Sequence, residues 1–209
     1  MKLVSESFAD RAKMPARCAF AEPDLATHVR LSANRNPHLA WSGLPAGAHS
    51  LALLCHDPDA PSVADDVNKE GRTIPATLPR VDFFHWVMVD LAPFGDPIAE
   101  AEFSSGVVAK GKPGPQAPRD ARQGLNGYTQ WFAGDQQMAG DYFGYDGPCP
   151  PWNDEVVHHY VFTLYALDIK ACPVSGRFTG PEVLAAIEGH VLDSATLTGT
   201  YSLNLSRHA

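Results

Sequence analysis

Apolar residues in this chain come in short runs, each cut by proline or glycine and followed by a polar turn. Five runs have strand length: 27–31, 50–56, 83–91, 160–167 and 197–205. They are rich in Val, Leu, Phe, Tyr and Thr, which suit a pleated, half-buried surface. Runs 83–91 and 160–167 are apolar at both parities, which predicts central strands covered on both sides.

The 18 prolines and 17 glycines are spread along the whole chain, as in an all-β domain with long loops. One helix is signalled. Thr179-Gly180-Pro181-Glu182 has capping-box spacing, with a proline suited to the first turn. Val183, Leu184, Ile187 and Val191 recur near the helical period, and Gly189 is a natural stop. Segments 62–80 and 111–127 are polar and irregular. Loops of that length in a compact domain usually serve function or lie near a ligand. With no repeat and no linker, residues 1–209 are expected to form a single domain: a large central antiparallel sheet with a peripheral helix.

Charge narrows the partners. A net charge of -8 argues against nucleic acid, which needs a basic patch, and weakens the case for anionic membranes. Residues 1–6 turn polar before an apolar leader segment can form, and no run reaches transmembrane length, so no membrane insertion is expected. Cys18, Cys55, Cys149 and Cys172 include no C-x-x-C pair, which fits reduced thiols and a cytoplasmic location.

The candidate chemistry sits at the ends of the apolar runs. Side chains two apart on a strand share a face, so His158 and Tyr160 point one way and His159 the other. Leu51, Leu53, Cys55 and Asp57 share a parity, and Pro58 is expected to end ladder pairing just after Asp57. Imidazole and phenol groups are hydrogen-bond donors, and a carboxylate beside them would fix the imidazole tautomers and raise their pKa. Asp57, His85, His158 and Tyr160 together would make a small cavity for phosphate, sulfate or a carboxylate. The loop Gly147-Pro148-Cys149-Pro150-Pro151 could add backbone N–H groups, although its prolines have none. Cys149 reads as a small buried filler of that loop; the alternative is a reactive thiol, if His85 or His158 lowers its pKa.

Asp57-Pro58-Asp59-Ala60-Pro61, His85-Trp86, Gly147-Pro148-x-Pro150-Pro151, His158-x-Tyr160 and Tyr165-Ala166-Leu167-Asp168 resemble the signatures of the phosphatidylethanolamine-binding protein family. The likeness is greatest to its bacterial branch of phospholipid-binding or Raf-kinase-inhibitor-like proteins. It implies a large central antiparallel sheet, a smaller sheet on one side and a peripheral helix. It also implies an anion site at Asp57, Asp59, Pro61, His85, Gly147, Pro148, His158 and Tyr160, and a cis bond at Ala60–Pro61. Homodimers are common in that branch; the sequence itself neither shows nor excludes one. Two departures stand out. Segment 152–157 is not the short turn expected, which would place Trp152 over the pocket mouth, and the insertion 63–80 is longer than in mammalian members. The kinase-inhibitor label does not transfer with a fold, and no protein partner is named by the sequence.

The expected function is therefore a binding protein, not an enzyme: it would hold a small anion or phospholipid head group such as phosphate, phosphoethanolamine or a carboxylate, with regulation of another protein as a branch of the same reading. The alternative is a hydrolase of small phosphoesters or esters using the same Asp/His pocket. No G-x-S-x-G elbow or evident nucleophile accompanies it. Two imidazoles and a carboxylate would also suit a zinc or iron ion, but no tight ligand spacing supports this, and neither a metal nor a cofactor is expected.

Overall fold

The structure is a computed structural model and describes residues 1–207. Four short strands come first: β1 (Lys2–Val4), β2 (Ala21–Asp24), β3 (His28–Leu31) and β4 (Ala40–Ser42). β1 pairs with β4 and β2 with β3, both antiparallel. The long strands β5 (Ser50–Pro61) and β6 (Arg80–Leu91) follow, then β7 (Gly111–Lys112), β8 (Arg122–Gln123) and β9 (Asp141–Tyr142). β10 (His158–Leu167) and β11 (Val191–Tyr201) complete the strands. The α-helices among the described residues are α1 (Tyr128–Trp131) and α2 (Gly180–Ala186).

The central sheet has the order β11-β10-β5-β6-β8, antiparallel throughout. Three two-stranded ladders stand around it where one smaller sheet was expected. Strand alternation divides two cores. Leu51, Leu53, Cys55, Trp86, Met88, Phe162 and Leu164 face one, which the N-terminal segment closes with Met14, Phe20 and Leu39. Ala52, Leu54, Val87, Val89 and Leu167 face the other, where Val183 and Ile187 bring α2 against the sheet. The runs apolar on both faces are thus the middle of the sheet, with water excluded from both sides.

α2 starts where its capping sequence lies: the Glu182 carboxylate accepts from the Thr179 N–H at 2.8 Å and from its hydroxyl at 2.7 Å. Gly189 has φ +81° and follows the helix, as expected of a stop. Val191 does not continue the helical face but opens β11, whose register with β10 begins there. The last strand accordingly starts earlier than the apolar run suggested and ends at Tyr201.

Three other expectations change. Pro58 does not end its strand: β5 runs on to Pro61, and the register shift between Asp57 and Ala60 takes up Pro58 and Asp59 as a bulge. An amide-less proline is tolerated where the ladder is already interrupted. The cis bond lies at Gly114–Pro115, not at Ala60–Pro61. Segment 111–127 is not wholly loop, because it holds β7 and the edge strand β8, which at two residues each are too short for periodicity to reveal.

Candidate functional site

β5, β6 and β10 lie side by side, so Asp57, His85, His158 and Tyr160 converge at one end of the sheet. Parity holds: His158 and Tyr160 are buried, while His159 faces outward and its ring bonds Asp59 at 2.8 Å.

His158 lies between two carboxylates. Its Nδ1 is 2.7 Å from Asp57 Oδ2, and its Nε2 is 3.1 Å from Asp154 Oδ2. Burial opposes charge on this ring, but the bonds to Asp154 and Asp57 and their negative charge outweigh it and raise the pKa to about 9. Both nitrogens therefore carry protons at neutral pH, and both donate to the protein. Asp154 is gripped in turn by Arg80, whose two terminal nitrogens donate at 2.6 and 3.0 Å. Burial pushes the Asp154 carboxyl up, but its bonds from His158 and Arg80 prevail and hold it below the ordinary range. Charge alternates along the row Asp57, His158, Asp154, Arg80 and sums to zero. His158 thus has no N–H left for an anion, contrary to the expectation that both imidazoles would donate.

His85 is held differently. Its Nδ1 is 2.8 Å from the Asp146 carbonyl, and the Asp146 N–H returns a bond to the His85 carbonyl at 3.0 Å. A carbonyl only accepts, so Nδ1 carries the proton and Nε2 presents a lone pair in the neutral ring. Burial lowers the His85 pKa, against the nearby charges of Asp57 and Asp146. Asp146 is itself fully buried and satisfied by Asn34 (2.7 Å), Asn126 (2.8 Å) and the Lys112 ammonium (2.9 Å). Burial lowers the pKa of that ammonium, which also donates to the Tyr145 carbonyl.

The cavity at this convergence has a volume of about 380 Å³. Asp57, Pro61, His85, His158 and Tyr160 line it; Asp59, Gly147 and Pro148 do not. Gly147 serves the loop instead: its N–H donates to Asn34 Oδ1 at 2.8 Å, and its carbonyl accepts from the Tyr128 hydroxyl at 2.8 Å. The Pro148 carbonyl accepts from the Phe20 N–H at 2.9 Å. Most of the remaining wall is apolar, with Phe20, Phe83, Tyr128, Phe132 and a half-buried Cys149 whose thiol burial pushes up to about 12; Arg30, paired with Glu22 at 2.8 Å, and Asn68 are its other polar members. Leu31, Val63, Val81 and Trp131 form an exposed rim. Trp152 is not at the mouth; it stacks on His28 with ring centroids 3.8 Å apart.

The insertion supplies part of the wall, through Val63, Ala64, Val67 and Asn68. Asn153 pins it, its amide donating to the carbonyls of Asp66 at 2.8 Å and Arg72 at 3.1 Å while its oxygen accepts from the Asn68 N–H at 3.0 Å. Tyr160 is the cavity-lining residue whose buried polar atom is left unfilled among the described residues. It is buried, its ring lies 5.0 Å from that of His85, and its hydroxyl has no hydrogen-bond partner among the described residues. Among those residues no group of three or more His, Cys, Asp or Glu side chains is placed to hold a metal ion.

Sequence reading missed Asp154, Asp146, Lys112 and Asn153. Asp154 had a usable signal, a carboxylate four residues before His158. Lys112 ends the two-residue strand β7, and Asp146 and Asn153 lie in loops, so no pattern marks any of the three.

The family model for phosphatidylethanolamine-binding protein matches residues 4–202. The chain belongs to that family. Among its relatives are a UPF0098 protein of Methanothermobacter thermautotrophicus, 32% identical over 96% of this chain and 98% of the relative, and the UPF0098 protein YbhB of Escherichia coli, 31% identical over 97% and 100%. A solved phosphatidylethanolamine-binding protein homologue, CT736 of Chlamydia trachomatis, superposes with a TM-score of 0.65 at 25% identity, covering 96% of each chain. Escherichia coli YbcL shares the fold at TM-score 0.67 and 22% identity, over 96% of this chain and 97% of its own. Among the described residues no helix is long and apolar enough to cross a membrane.

Proposed function

We propose that this phosphatidylethanolamine-binding protein family member holds a small oxyanion in the cavity beside His85, either a free phosphate or carboxylate or the head group of a phospholipid. The observation that carries the reading is the buried Tyr160 hydroxyl, which has no hydrogen-bond partner among the described residues and lies beside an imidazole that bonds the protein through Nδ1. A buried polar group without a partner costs about 1–3 kcal/mol, which a ligand oxygen would recover. The cavity volume falls within the usual range for small-molecule sites.

Binding rather than turnover is favoured by the same geometry. Both nitrogens of His158 are committed to carboxylates, and the Cys149 thiol is far too weak an acid to act as a nucleophile at neutral pH. A cytoplasmic location, pairing with a second copy and control of another protein belong to the same proposal. Calorimetry with phosphate, phosphoethanolamine and acetate, on the wild type and His85→Ala in parallel, tests its core. Saturable binding lost in the variant is the expected result. Absence of binding by the wild type would leave the family fold without this function and move attention to turnover.

A further inference from the structure

The ligand class can be narrowed by matching donors to acceptors at the inner end of the cavity, an inference that rests on the oxyanion reading above. Asp57 is already served: Oδ1 accepts from the Asp59 N–H at 2.8 Å, and Oδ2 from His158. His158 is committed at both nitrogens. What remains is one acceptor, His85 Nε2, beside one donor, the Tyr160 hydroxyl, whose pKa burial raises well above the usual value so that it keeps its proton. A bare anion offers two acceptors and leaves His85 unmatched. An oxyacid with one proton matches both: its O–H meets Nε2, and its other oxygen accepts from Tyr160. Moving that proton across to Nε2 gives an imidazolium facing an oxyanion, with the same proton count.

We propose that the cavity captures an oxyacid bearing a compact apolar substituent, and that it does so with one proton more than the free anion carries. The substituent is set by the wall, where Phe20, Phe83, Tyr128 and Phe132 surround the space beyond His85. The charged and titratable groups near His85 are Asp57 from β5, His158 and Tyr160 from β10, Tyr128 from α1, and, on the Nδ1 side, Asp146 with its partner Lys112. Asp57 and Asp146 are paired with His158 and Lys112, and Arg30, the cation elsewhere in the lining, is paired with Glu22 at 2.8 Å, so these cations are already neutralised and the proton is drawn from solvent.

The test is calorimetric titration with benzoate, acetate and benzylamine near pH 7.5, in buffers of different ionisation enthalpy. Benzoate is expected to bind with uptake of about one proton, at least tenfold tighter than acetate, and to weaken about tenfold per pH unit above neutrality. Tyr160→Phe is expected to bind benzoate roughly tenfold more weakly with the same proton count, since it removes the donor and not the acceptor. Benzoate binding with no proton uptake would overturn this inference and leave the oxyanion reading standing. So would saturable binding of benzylamine in its place, because Asp57 would then be the recognising group. Binding of a short-chain phosphatidylethanolamine without benzoate would assign the oxyanion to a lipid and overturn the free-acid class. No saturable binding of any probe would sink both readings together.

Discussion

His158 should make the stability of this protein depend on pH in a window set by its two carboxylates. Its pKa is raised from 6.5 to about 9 in the fold. In the unfolded chain the ring loses its proton near the ordinary value, while in the folded chain it keeps it. The stabilisation is therefore fully present below 6.5, is lost progressively as pH rises, and is gone above about 9. A shift of that size corresponds to about 3 kcal/mol, a large part of the stability of an ordinary domain. The assay is urea denaturation from about pH 6 to about pH 9.5, for the wild type and His158→Gln. Four buried or half-buried thiols, all with raised pKa, also weaken the fold as pH rises. They act in both proteins, so the difference between the two curves isolates His158. That difference should shrink by about 3 kcal/mol across the window. Parallel curves would refute the row of alternating charges, and with it the claim that His158 is protonated and committed.

Gly147→Ala should destabilise the protein by about 2 kcal/mol or more, because a Cβ there would lie 2.1 Å from the Cys18 carbonyl oxygen, a backbone atom that cannot swing aside; thermal unfolding reads it directly. Asn153→Ala should free the insertion from its anchor, costing about 1–3 kcal/mol and exposing 62–80 to limited proteolysis at a rate clearly above the wild type. His159→Ala should change stability by no more than about 0.5 kcal/mol and spare oxyanion binding, since its side chain lies outside the cavity. Damage from it equal to that of His158→Ala would count against the strand parity on which the site depends.

The hydrophobic pattern determined the middle of the sheet and the parity that separates His158 from His159, and the capping sequence determined the start of α2. These are local properties: a two-residue period decides which face a side chain takes, and a capping box satisfies its own N–H groups. The family signatures marked Asp57, His85, His158 and Tyr160 for the same reason, since each sits at the end of a legible apolar run. Tertiary structure decided what those residues can do. The His85 proton is placed by a carbonyl 61 residues away, and His158 by a carboxylate 101 residues away. Asp146 draws its partners from residues 34, 112 and 126, three segments with no shared pattern. Pro58 stays inside its strand because β6 has a register that accepts a bulge there. A hydrogen-bonding role belongs to a pair, and the second member of each pair here comes from a distant segment that only folding brings within 3 Å or so.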